Sequence, residues 1–381
     1  MSLSALDRYE ATLEGLRHRS RLRVLSPRHG VDFTSNDYLG LANSQRLKAA
    51  ISDAIDRGVP VGAGGSRLLR GNHAEHEALE ADAAVFFGAE KVLFFASGYA
   101  ANAAIFSVLP QRDDLIVHDV LIHASAHEGM STSKAMTVAV RHNDVEAFDE
   151  AIRSWRHKGG KGHPWIAVES LYSMDGDKAP IADLARLADE HDGFLIVDEA
   201  HATGVFGKEG RGLAADLHGR NNLIVLHTCG KALGVSGALL ALPSILAEYL
   251  VNRARGFIYS TAPSPLMAAG VREALRMVTD EPERRTRLEK LTNFAEEQLS
   301  SRLGAFRSHS QILPVMIGNN ARALRISESM RAKGFDIRAI RPPTVPEGTA
   351  RLRISITLNV DEGEISKMCE GLATTIEESK S

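Results

Sequence analysis

Residues 222–238 read NLIVLHTCGKALGVSGA, an apolar run followed by one lysine set among glycines. NLIVL has the length and composition of a strand buried on both faces, so Lys231 should project just beyond its carboxyl end. Open α/β sheets place ligands and chemistry at that edge. A lysine that needs only solvation can sit on any helix face, so its position here has to be explained.

The runs KVLFFAS (91–97), DLIVHD (114–119), PWIAVES (164–170) and GFLIVDEAH (193–201) repeat the strand pattern, separated by helical stretches. This alternation predicts a mainly parallel sheet covered on both faces by helices. In IADLARLADEHDG, Ile181, Leu184, Leu187 and Ala188 share one helical face and Gly193 supplies the stop. Past about residue 265 the rhythm changes. A long helix carries Leu288, Leu291, Ala295, Leu299 and Leu303 on one side and ends at Gly304. After it come the strand ILPVMIG, the helix NARALRISESMRAKG, strands around FDIRAI and ARLRISI, and a last helix. The expected organisation is an N-terminal arm over 1–35, a large domain over 36–265 and a smaller α/β domain over 266–381.

The bulk properties narrow the function. The 381 residues are 44% hydrophobic and 24% charged, the composition of a soluble protein with more than one core. The net charge of −3 gives no global basic field, which argues against nucleic acid or a membrane surface as the main partner. No apolar stretch approaches the ~20 residues of a membrane span, and the first residues lack a signal-peptide core, so a cytoplasmic location is expected. Cys229 and Cys369 are too few for a disulfide framework and lack zinc spacing; reduced thiols are expected, and Cys229 reads as a small buried one. His73, His76, Glu77 and Glu80 in HAEHEALE lack an HExxH pattern and read as a solvated helix face, so no metal is expected. VGAGGSR does not fit GxGxxG, and TCGKAL lacks the residues of a phosphate-binding P-loop. Arg17, Arg19, Arg21 and Arg23 form either a solvated basic face or an arm that meets a carboxylate or a coenzyme A phosphate.

Several strands end in a polar group. Asp198 ends FLIVD and His201 follows in DEAHATG; Glu169 and Ser173 come from VESLYSMDGD; Thr228 lies three residues before Lys231; His123 follows the strand DLIVHD. ASGYAAN puts small residues between a strand and a helix, so the N–H groups of Gly98 and Tyr99 can face an anion. A buried aspartate for a pyridinium nitrogen, a lysine able to form a Schiff base, a donor for a phenolic oxygen and an anion cradle are what pyridoxal phosphate requires.

The segments NDYLGL, ASGYAAN, SMDGD, DEAHATGVFG, TCGKALGVSGA and RPPTVPEGTARLRIS together resemble the α-oxoamine synthases, from about residue 36 to 356. The resemblance implies a fold-type I pyridoxal phosphate transferase with a mainly parallel seven-stranded sheet. It implies that Lys231 holds the cofactor, His123 stacks on its ring, Asp198 pairs with the ring nitrogen and His201 donates to the phenolic oxygen. Gly98, Tyr99 and Thr228 would serve the phosphate, and Glu169 and Ser173 the ring and acyl group. Arg353 would take the amino-acid carboxylate, with Arg17, Asn36 and Thr344 near substrate. Ser260 and Thr261, in IYSTAPS, would reach the neighbouring subunit's phosphate site, which implies a homodimer with shared active sites. GVSGA and IRPPTVPEGTARLR are similar to the branch that condenses L-alanine with a pimeloyl thioester, on coenzyme A or a carrier protein, with loss of CO2. The rivals are a glycine-using relative and a non-catalytic cofactor-binding sensor or partner subunit.

Overall fold

The computed structural model describes residues 5–304 and 307–379. The chain forms two compact units: one comprises the chain up to Tyr38, Met174–Gly176 and the chain from Arg287 onward; the other comprises Leu39–Ser173 and Asp177–Thr286. The expected boundary after residue 265 is displaced. Helix Pro265–Asp280 packs on helices Gln45–Asp56 and Ala74–Phe87, which puts it in the larger unit, and residues 36–38 fall in the smaller one.

Strand β1 (Val31–Asp32) belongs to the smaller unit. The larger unit is built on β2 (Lys91–Phe95), β3 (Leu115–Asp119), β4 (Met136–Val140), β5 (Pro164–Glu169), β6 (Phe194–Asp198), β7 (Leu223–Thr228) and β8 (Ala238–Leu242). They form one seven-stranded sheet in the order β2-β8-β7-β6-β5-β3-β4. Only β8 runs antiparallel to its neighbours. The mainly parallel sheet inferred from the alternation is therefore present. Two strands escaped the sequence reading. The edge strand β4 is largely exposed, so it lacks the continuous apolar run of a central strand; β8 follows the lysine loop so closely that its small residues read as part of that loop.

Every residue of β3 and β5 is buried, as expected where helices cover both faces of a parallel sheet. Trp165 stacks on Phe194 with ring centroids 4.0 Å apart, extending the packing across β5 and β6. Because β2, β3, β5, β6 and β7 share one direction, their carboxyl ends lie on one edge of the sheet. Helix Gly98–Val108 starts there after β2, its first turn closed by Ser97 Oγ, which accepts from the Ala100 N–H. Helix Ala124–Ser131 starts after β3, with the His123 ring as its cap.

The loop that presents Lys231 depends on Gly234. Gly234 has φ +66, and a Cβ there would lie 2.4 Å from the backbone nitrogen of Ala42. Both the left-handed conformation and the close approach demand glycine. The Gly234 N–H donates to the Lys231 carbonyl and the Val235 N–H to that of Cys229, closing a tight turn around the lysine. Cys229 is fully buried.

The smaller unit carries β9 (Ile312–Gly318), β10 (Phe335–Asp336), β11 (Arg338–Ile340) and β12 (Ala350–Ser355). β11, β12 and β9 form an antiparallel sheet with β12 in the middle, and β1 pairs with β10 in parallel. Helices Asn320–Ala332 and Glu362–Glu378 belong to the same unit, the latter started by a capping box between Asp361 and Glu364.

Two local readings are corrected. Helix Ile181–Glu190 is turned by Asp192, at φ 51, and not by Gly193, whose lack of a side chain instead allows a close approach to Pro164. HAEHEALE is not a solvated face. His73 caps helix Ala74–Phe87; His76 is fully buried, 2.8 Å from the Pro263 carbonyl; Glu80 pairs with Arg67 at 2.8 Å and accepts the Phe94 N–H. Only Glu77 of the four is exposed. Polar side chains at helical spacing give no outward face when each finds a buried partner from another segment.

Candidate active site

The carboxyl edge of the large sheet gathers the polar groups. Lys231 Nζ lies 2.9 Å from His201 Nε2. His201 is buried, three residues beyond the end of β6. Asp198, the last residue of β6, is 6% exposed. Its Oδ1 accepts the Ala200 N–H at 3.0 Å and its Oδ2 accepts from Asn102 Nδ2 at 2.8 Å.

Asn102 does more than support Asp198. Its Nδ2 also donates to Ser125 Oγ at 2.9 Å, and Ser125 Oγ lies 2.8 Å from His123 Nδ1. The Ser125 N–H donates to the same Nδ1 at 3.2 Å, which makes Nδ1 an acceptor and leaves the proton of the neutral ring on Nε2. Burial lowers the His123 pKa and Lys231 assists, against the opposing pull of Asp198. A neutral His123 is thus oriented through Ser125 and Asn102 by the same amide that steadies Asp198. Asn102 and Ser125 were missed in the sequence reading. Asn102 lies four residues after Gly98, one helical turn, and that spacing was the available signal.

Glu169 and Asp198 are paired residues at the ends of adjacent strands. Glu169 is buried; one carboxyl oxygen accepts the Ser173 N–H at 3.2 Å, and the other, Oε1, has no partner. Burial, with the Asp198 charge beside it, pushes its pKa up to about 8 despite Lys231, so it carries its proton at neutral pH.

Thr228 ends β7 and donates to the Ala200 carbonyl at 3.3 Å. A Cβ at residue 98 would stand 2.6 Å from Thr228 Cγ2, so glycine is what lets this helix N-terminus come so close to the strand end. By helix geometry the N–H groups of Gly98 and Tyr99 have no carbonyl one turn back to donate to. These residues fit pyridoxal phosphate: a glycine-dependent N–H cradle for a phosphate, a buried carboxylate for a ring nitrogen, a lysine with a histidine beside it, and a buried Glu169 oxygen without a partner.

The smaller unit holds a second cluster. Arg353, on β12, is 6% exposed and donates to Ser355 Oγ at 2.7 Å, Asn36 Oδ1 at 3.0 Å and Tyr38 Oη at 3.3 Å. Arg351, two residues earlier on the same face of β12, donates instead to Asp175 and Thr349. Arg17 lies on the exposed helix Asp7–His18, 2.8 Å from Glu14, and Thr344 is exposed and accepts from Arg23. Ser260 and Thr261 are exposed after the short helix Arg255–Ile258.

Residues 28–372 match the family model described as aminotransferase class I and II. The chain belongs to this family. It is 41% identical to 8-amino-7-oxononanoate synthase of Anaeromyxobacter dehalogenans (strain 2CP-1), over 99% of this chain and 97% of that one. It is 40% identical to the enzyme of the same name from Chromobacterium violaceum, covering 93% and 94%. Among solved structures it is similar to 8-amino-7-oxononanoate synthase from Francisella tularensis, at 29% identity and a TM-score of 0.78, over 92% of this chain and 99% of that one.

The state of Glu169 has a measurable consequence. Folding holds a proton that the unfolded chain releases near pH 4.5, so the folded state binds more protons up to about pH 8 and stability falls as pH rises through that window. In Glu169→Gln this loss should be absent. Denaturant unfolding of the wild type and variant apoproteins at pH 5 and pH 8.5 checks it: the variant should gain relative to wild type at the higher pH, and a constant difference would mean that Glu169 is ionised throughout.

Proposed function

We infer that this protein carries out the 8-amino-7-oxononanoate synthase reaction of biotin synthesis: L-alanine and a pimeloyl thioester give 8-amino-7-oxononanoate, CO2 and the free thiol. Pyridoxal phosphate is the cofactor. When bound, it accepts the electron pair left on the alanine α-carbon, first on loss of the proton and later on loss of CO2.

The observation that carries this reading is the Lys231–His201 contact on the sheet edge that also holds the buried carboxylate of Asp198. Lys231 would tether the cofactor, and its Nζ, when free, would take the alanine α-proton and later return one. Asp198, steadied by Asn102 and the Ala200 N–H, keeps the ring nitrogen protonated. His123, neutral and held by Ser125, would stack on the cofactor ring, His201 would donate to its phenolic oxygen, and Gly98, Tyr99 and Thr228 would hold the phosphate. Glu169, as the neutral acid, presents a donor where a second carboxylate would oppose Asp198.

The reading is tested by product mass spectrometry of the holoenzyme with alanine or glycine against thioesters of several chain lengths. The expected product is 8-amino-7-oxononanoate from alanine and the pimeloyl donor. Preference for glycine and a short acyl-CoA would assign the chain to another branch, and absence of turnover would leave a cofactor-binding module.

Arg353 is proposed as the partner of the alanine carboxylate, supported by its burial and by the Ser355, Asn36 and Tyr38 oxygens that fix its guanidinium plane. A planar fork holds a carboxylate in a defined orientation that a lysine does not reproduce. Arg353→Lys should lower kcat/KM for alanine by a factor corresponding to about 1.5–3 kcal/mol, with much less change for the thioester. A defect confined to the thioester would move Arg353 to the acyl site.

A homodimer is also proposed, in the cytoplasm, with Ser260 and Thr261 lent to the partner's phosphate site. A groove of about 800 Å³ on the larger unit, lined by Ala100, Ala103, Val108, Tyr249, Arg255 and Tyr259, supports it, as do the exposed rings of Tyr99 and Tyr259. Sedimentation equilibrium at micromolar concentration should give twice the chain mass of 41.3 kDa; a monomer that retains full activity would refute shared sites.

A further inference from the structure

Just past the end of the edge strand β4, His142 lies between two carboxylates that belong to other segments of the larger unit. Its Nδ1 is 3.0 Å from both oxygens of Asp119, and its Nε2 is 2.7 Å from Asp177 Oδ2. Asp119 is the last residue of β3 and is fully buried. Asn143, at φ 54, repeats the tie: its N–H donates to Asp119 Oδ2 at 2.8 Å and its Nδ2 to Asp177 Oδ2 at 2.7 Å.

A carboxylate facing each ring nitrogen makes both nitrogens donors, which is the pattern of an imidazolium. Burial opposes that charge, but the hydrogen bonds to Asp119 and Asp177 outweigh it and push the His142 pKa up to about 10. The condensation chemistry gives this cation no task of its own, yet both of its partners lead to residues that the chemistry uses. Asp119 Oδ1 accepts the Leu121 N–H at 2.8 Å and the Asp119 carbonyl accepts the Ile122 N–H at 3.1 Å, closing the turn that delivers His123. The Asp177 carbonyl accepts the Tyr172 N–H at 2.9 Å, which fixes the residue before Ser173, whose own N–H goes to Glu169.

We propose that His142 is a positioning residue of the cofactor site, holding His123 through Asp119 in the place from which it would stack on the cofactor ring, with Asp177 as the anchor on its other side. The inference rests on the proposed stacking role of His123. Ser125 fixes the rotation of the His123 ring, and Asp119 fixes the backbone from which that ring projects. Both Asp119 oxygens serve backbone N–H groups as well as the imidazole, so where the imidazole holds the carboxylate decides where the turn sits. Replacing His142 by glutamine removes the cation while Asn143 keeps its bonds to both carboxylates; the segments stay tied and the variant is expected to fold.

The test is a double-mutant cycle on pyridoxal phosphate affinity, read by titrating the apoproteins with the cofactor and by the circular dichroism of the bound cofactor. His142→Gln should raise the Kd about tenfold, the loss of roughly one charged hydrogen bond, and change the dichroic band of the cofactor. In a His123→Ala background the same substitution should change the Kd by less than about twofold, because the residue through which it acts is gone. Asp177→Asn, at a partly exposed side chain, should show the same coupling with a smaller loss. An equal loss with and without the His123 ring would make the ion pair a support of the fold alone, and an unchanged Kd and dichroic band in His142→Gln would detach it from the site; each overturns the proposal. Unchanged affinity in His123→Ala by itself would instead refute the stacking reading, and the proposal with it.

Discussion

Two carboxylates end neighbouring strands of the large sheet, side by side and almost without solvent. Burial, with the Asp198 charge beside it, pushes the Glu169 pKa up to about 8. Asp198 receives an N–H from Ala200 and another from Asn102, whereas Glu169 receives a single N–H from Ser173 and keeps an unpartnered oxygen. With a single N–H reaching it, Glu169 has little to hold a negative charge, and burial leaves it a neutral acid at neutral pH.

The same division explains why the helix after β2 matters. Asn102 lies one turn into that helix and uses both amide hydrogens, one for Asp198 and one for Ser125, which in turn sets the His123 ring. The N-terminus of this helix offers its free N–H groups next to Thr228 because residue 98 has no side chain. One short helix therefore brings its N-terminus beside Thr228, steadies the Asp198 carboxylate and orients the His123 ring. Replacing Asn102 would disturb Asp198 and the Ser125–His123 pair together, so the two effects should not be additive.

Much of the fold was legible because buried parallel strands must be apolar throughout. KVLFF, LIVH, WIAV, FLIV and LIVL announce themselves, and polar residues that break such runs stand out as strand ends. Lys231, Asp198, Glu169 and Thr228 were found in this way. The edge strand β4 and the antiparallel β8 were not, since one is half-exposed and the other is continuous with a glycine-rich loop. HAEHEALE failed for the opposite reason: the burial of His76 and Glu80 is created by Pro263, Arg67 and Phe94, none of which is a neighbour in the chain.

The sequence by itself determined the alternation of strands and helices, the polar residue at several strand ends and the lysine with its glycine turn, because those follow from local periodicity and backbone sterics. Only the tertiary structure decided that Glu169 is buried deeply enough to hold its proton, that Asn102 and Ser125 link Asp198 to His123, and that residues 20–27 lie along residues 331–344. Those outcomes depend on desolvation and on hydrogen bonds between segments far apart in the chain, and neither has a signature in the order of residues until the sheet brings them together.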